Sequence, residues 1–225
     1  MSQFAEKSSE YQIKLENILA QYTVDLEIES VQLDRIFQLL VKAYTHPDRY
    51  YHNLTHIYHV LDTIERFSDT LENPTAVFLA VWFHDFVYDS QASDNEVQSA
   101  KIAGELLINI GVSEQLVFRV NELILATAGH QIDIKDLDRC IFLDADLAIL
   151  GADMERYQAY SRSIRLEYSW VSDSAYREGR LRVLESFLAR ERLYYTDTLF
   201  DELESIARRN MQGEILVLKG DKLGW

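Results

Sequence analysis

Breaks in helical continuity are rare in this chain: two prolines and eight glycines interrupt 225 residues. So few breakers favour long helices over many short strands joined by turns. Apolar residues recur at helical spacing almost throughout. A first helix fits 3–22, with Tyr11, Leu15, Ile18 and Leu19 on one face. Leu33, Phe37, Leu40 and Val41 mark a second, which must stop near His46-Pro47 because proline disfavours helix in the residue before it. After the turn 47–53, Ile57, Val60, Leu61, Ile64 and Phe67 carry a third. Asn73-Pro74 reads as a cap followed by proline at the first helical position, opening a segment to 87 that is apolar almost all round.

Further helices fit Ser93 to about Asn109, opened by the capping box Ser93-Asp94-Asn95-Glu96, then 113–127, 136–150, 153–169, 173–192 and 197–211. No repeat, low-complexity tract or flexible linker divides them. The expectation is an all-α, single-domain helical bundle over 1–225, with a core at about 30–215 and the helix 3–22 packed on it.

Composition narrows the partners. Hydrophobic residues make up 48% and charged residues 26%, the balance of an ordinary globule. A net charge of −15 repels nucleic-acid polymers and anionic lipid, yet a metal ion with a few arginines can reverse the potential locally for a small anion. Cys140, the one cysteine, excludes an internal disulfide and any cysteine-based metal motif. MSQFAEKSSE lacks the features of a signal peptide and no apolar run approaches the ~20 residues that span a bilayer, so the chain reads as cytoplasmic with no membrane partner. A homodimer through Trp82, Trp170 or Trp225 is open.

Two histidine-rich places carry the chemistry: His52-Asn-Leu-Thr-His56-Ile-Tyr-His59, and Trp82-Phe83-His84-Asp85. Burying a histidine and a carboxylate together beneath Trp82 and Phe83 is costly without compensation. A divalent cation compensates naturally, since imidazole nitrogen and carboxylate oxygen both ligate it. Neighbours on a helix point about 100° apart, so both reach one ion only where the helix ends or the ion lies between them. Asp144 and Asp146 are embedded in the apolar run Phe142–Leu150, where unpaired carboxylates are rare. Residues two apart on a helix face away from each other, so one of the pair faces a site and the other caps or supports.

His56, the His84-Asp85 doublet and a late aspartate, in that order in a helical chain, resemble the HD superfamily of metal-dependent phosphohydrolases. The stretches YHNLTHI, FHDFVYD, DNEVQSA, FLDADLAILG, IRLEY and YREGR resemble one bacterial branch of it. The resemblance implies one divalent ion (Mn, Fe, Ni, Zn or Mg, a second being an option) on His56, His84, Asp85 and Asp146, with Asp144 the alternative to Asp146. It implies a small phosphorylated, nucleotide-like substrate attacked by metal-activated water. A metal- and nucleotide-binding sensor and a di-iron oxygenase are the other readings such a chain allows.

Around that centre, Asp85, His52 and Glu96 are the candidate catalytic groups. His52 takes a role beside substrate or ligands, and Glu96 reads first as a capping-box residue. Arg49, His130, Arg177 and Arg180 are candidates to hold the anion, because guanidinium matches phosphate in bidentate fashion and positions 177 and 180 share a helix face. Asp89 reads as a solvated loop carboxylate and His59 as a surface or polar-layer residue.

Overall fold

A computed structural model describes residues 2–129 and 135–220, with side chains from 11 onward. Every regular element among them is helical, as the breaker count requires, and none is long and apolar enough to cross a membrane. His130 and Trp225 lie outside the described residues. The sequence reads as one domain; the contacts of the folded chain cluster into two compact units, 1–142 and 143–225.

The first unit contains α1 (Ser2–Thr23), α2 (Ser30–Tyr44), α3 (Leu54–Glu65), α4 (Pro74–Phe83), α5 (Asn95–Asn109) and α6 (Glu114–Thr127). Its core helix is α4, packed by α1, α3, α5 and α6. Asn73 caps it by accepting from the Ala76 N–H at 3.0 Å, with Pro74 in the first turn. Ala76 through Phe83 are all buried. A helix of 10 residues is marginal alone, but burying a large apolar side chain contributes about 1.5–3 kcal/mol against propensity costs below about 1 kcal/mol per residue. Packing therefore decides that α4 forms.

The helix ends at Phe83, earlier than the expected 87. His84 closes it, and the Asp85 and Phe86 carbonyls turn to the Arg49 guanidinium instead of a following helical turn. The capping box expected at Ser93–Glu96 does not form either. Asp94 precedes α5 without a side-chain cap bond, because the Asn95 amide faces back to exchange two 3.0 Å bonds with the Asp89 backbone.

The helix α7 (Leu137–Asp146) begins in the first unit and ends in the second. Buried Asp138 in its first turn accepts from the Glu72 and Asn73 N–H groups at 2.8 and 2.9 Å, holding the entry to α4.

The second unit contains a 3-10 segment Leu147–Gly151, α8 (Met154–Glu167), α9 (Asp173–Leu188) and α10 (Asp197–Lys219). The 3-10 segment lies against α10: Asn210 donates to the Leu150 and Ala152 carbonyls, and the Tyr194 hydroxyl donates to the Leu147 carbonyl. α10 runs on past the expected end at 211, through Gly213 to Lys219, and stops at Gly220 with φ +93°. A mid-helix glycine costs about 1 kcal/mol relative to alanine. The buried ion pair of Glu214, the very next residue, with Arg180 holds the helix through it.

A Cβ on Gly151 would stand 2.6 Å from the Leu203 Cβ on α10. Gly151→Ala is expected to destabilise the chain by about 1–3 kcal/mol through overpacking, read as a lower urea midpoint with unchanged slope. An unchanged midpoint would show that the 3-10 segment does not press on α10.

Candidate metal centre

The end of α4 and the first turn of α3 bring three ligand-type groups together in the first unit. Asn53 caps α3 by accepting from the Thr55 N–H at 2.9 Å, which sets His56 facing inward one turn later. The His56 Nε2 lies 3.3 Å from the His84 Nε2. The nearer Asp85 carboxylate oxygen is 3.0 Å from the His84 Nε2 and 3.6 Å from the His56 Nε2. His56 and His84 are buried, and the Asp85 side chain is 17% exposed, the open side of the triangle.

The His84 ring has a defined orientation. Its Nδ1–H donates to the Val81 carbonyl at 2.8 Å, so in the neutral ring the Nε2 lone pair faces the carboxylate. Two lone-pair atoms at 3.0 Å need a cation. A proton on His84 Nε2 answers that contact, the contacts of His56 depend on which of its ring nitrogens carries the hydrogen, and a divalent ion would answer all three. Bonds of 2.0–2.1 Å set neighbouring ligand atoms about 2.9–3.4 Å apart, in octahedral or tetrahedral geometry. The three separations scatter around that range. Burial pushes the Asp85 carboxyl up, and the His84, His52 and His56 imidazoles outweigh it, holding it well below the usual carboxylate range.

Further side chains stand beside the triangle or on the chain that follows it, and of these the sequence did not single out Phe142 and Ser99. Phe142 of α7 packs edge-on against the His84 ring, centroids 5.6 Å apart. His52, half-buried, stacks on Tyr88 at 4.2 Å and meets His56 edge-on at 5.8 Å. Ser99, fully buried on α5, exchanges hydrogen bonds with the Val87 backbone. Asp89 is exposed and accepts from the Gln91 N–H, a loop carboxylate as expected.

Other candidates are placed differently from the sequence reading. The Arg49 guanidinium is engaged by the carbonyls of His52, Asp85 and Phe86, not offered to an anion. Glu96 sits half-buried in the first turn of α5, and among the described residues no hydrogen bond or ion pair joins it to His56, His84 or Asp85. In the second unit the expected Arg177/Arg180 pair is divided. Arg177 is exposed, while Arg180 is buried against Glu214 through two bonds of 2.8 and 3.1 Å, with Tyr157 and Ser161 also donating to that carboxylate.

Asp144 and Asp146 separate as residues two apart should. Both Asp144 oxygens are taken inside the second unit, accepting from the Tyr195 N–H, the Thr196 N–H and the Thr196 hydroxyl, each at 2.7 Å. Burial pushes its carboxyl up to about 6 although these donors pull it down. Asp144, expected as the alternative ligand, thus anchors the entry to α10. Asp146, half-buried, ends α7 one helical turn beyond Phe142.

No family model, curated protein or solved structure matches this chain.

Asp144→Asn keeps one acceptor and turns an NH2 toward donors, so a loss of about 1–3 kcal/mol in unfolding free energy is expected. Divalent-metal affinity at temperatures where the variant is folded should stay at the wild-type level. A large loss of metal affinity with stability intact would return Asp144 to the ligand set.

Proposed function

We propose that the chain is a metal-dependent phosphohydrolase of the HD type, acting on a small, nucleotide-like phosphate ester or anhydride. The observation that carries this reading is the 3.0, 3.3 and 3.6 Å triangle of one carboxylate and two imidazole nitrogens, with the His84 ring oriented by the Val81 carbonyl. In this reading the ligands of the first unit are His56, His84 and Asp85, and Asp146 is the fourth that the resemblance to the HD superfamily implies. Asp146 follows Phe142 by one turn on α7, and residues four apart share a helix face. Nitrogen and oxygen donors without thiolate suit Mn, Fe, Ni, Zn or Mg.

Bound there, a divalent ion supplies Lewis acidity toward a phosphoryl oxygen and lowers the pKa of water toward neutrality. The chain's own groups do the rest. The Val81 carbonyl holds His84 in the tautomer that presents Nε2. The buried Phe142 ring, edge-on to His84, keeps water from that side of the ligand. His52, on the half-exposed side and stacked on Tyr88, is placed to hold or donate a proton at the substrate. With a net charge of −15, attraction for an anion must come from the ion itself.

The test is metal analysis of the purified chain with a phosphate-release screen over nucleotides in Mn2+ or Ni2+. One tightly held divalent ion per chain and metal-dependent release are expected. Asp85→Ala should lose both, by more than the roughly 10- to 100-fold that outer-sphere substitutions cost. Turnover retained by Asp85→Ala would overturn the proposal, and metal with bound nucleotide but no release would make the chain a sensor.

A further inference from the structure

Arg49 makes the bonds that join the two ligand-bearing segments of the first unit. Its Nη1 donates to the Asp85 carbonyl at 2.7 Å and to the His52 carbonyl at 3.2 Å, and its Nη2 donates to the Phe86 carbonyl at 2.8 Å. The guanidinium carbon lies 4.9 Å from the Tyr44 ring centroid and 5.6 Å from that of Tyr88. Tyr44 in turn donates its hydroxyl to the Trp82 carbonyl at 2.9 Å, and Tyr88 stacks on His52. One cationic plane thus lies beyond the C-terminal end of α4, where the helix dipole favours positive charge, and grips the turn that leads into α3.

We propose that Arg49 is a positioning residue of the metal site, setting the separation of His56 from His84-Asp85 through the backbone. The assignment rests on the metal-site reading above. Its force comes from tolerance: a metal site demands ligand distances within about 0.2 Å, so freeing the main chain at a ligand residue is felt directly. The bond to Asp85 is to that ligand's own carbonyl, and the bond to His52 fixes the turn from which α3 starts. Only a planar fork of several N–H groups spans carbonyls on two segments at once. A lysine ammonium at the end of a flexible stem does not reproduce it.

The experiment titrates the full, metal-free chain with Mn2+ against a chromophoric chelator, with folding checked by circular dichroism. Arg49→Lys and Arg49→Ala are each expected to weaken affinity about 10- to 100-fold, the range for groups that orient ligands. Methylguanidinium should restore part of the loss in Arg49→Ala and none in wild type. Asp138→Asn is the control for general destabilisation. It removes bonds at the opposite end of α4 and should lower the unfolding midpoint while leaving Mn2+ affinity unchanged. Equal affinity in Arg49→Lys and wild type overturns the Arg49 assignment alone, as does a loss shared in full by Asp138→Asn. Failure of the wild-type chain to bind Mn2+, Zn2+ or Ni2+ overturns the metal-site reading and this assignment with it.

Discussion

Two imidazole nitrogens and a carboxylate oxygen converge within 3.0–3.6 Å at the end of an otherwise apolar helix, and that convergence sets the terms for everything near it. Polar atoms so close, with little water to screen them, need hydrogens or a cation between them. The fold keeps the groups in place from outside the triangle: the Val81 carbonyl bonds His84, the Asn53 cap starts α3, and the Phe142 ring stands edge-on to His84.

The same economy governs the chain after the doublet. Four consecutive positions are held from three directions, with Arg49 on the carbonyls of residues 85 and 86, Ser99 on both backbone groups of 87, and His52 against the ring of 88. At the other end of α4, Asp138 holds the entry through two backbone N–H groups. A helix with no polar face of its own is thereby located at both ends by polar side chains from elsewhere. In the second unit, Asn210, Tyr194 and Asp144 do comparable work for the segment that carries Asp146, binding the positions on both sides of it.

Local signals were legible in the sequence and tertiary commitments were not. Asn73-Pro74 announced the start of α4 because capping is a property of neighbours, and the costly His84-Asp85 pair pointed to the helix end where both side chains could turn inward. The choice between Asp144 and Asp146 stayed open, because spacing says that one faces a site but not which. The three donors of Tyr195 and Thr196 that engage Asp144 lie some fifty residues away in sequence, where spacing does not reach. Arg49 and Arg180 were read as anion clamps for the same reason. A guanidinium looks alike in sequence whether it meets phosphate, the Glu214 carboxylate or main-chain carbonyls. The failed capping box at Asp94 shows the reverse case, a local pattern overridden when the Asn95 side chain turned to the Asp89 loop.

X-ray absorption spectroscopy on the chain loaded with Zn2+ or Mn2+ addresses the convergence most directly, because it counts the atoms around the ion irrespective of substrate. Nitrogen and oxygen neighbours at about 2.0–2.2 Å are expected for zinc, with the outer-sphere scattering of two imidazole rings and none from sulfur. A sphere without imidazole scattering, or the same spectrum after both His56 and His84 are replaced by alanine, would mean that the two rings hold no ion.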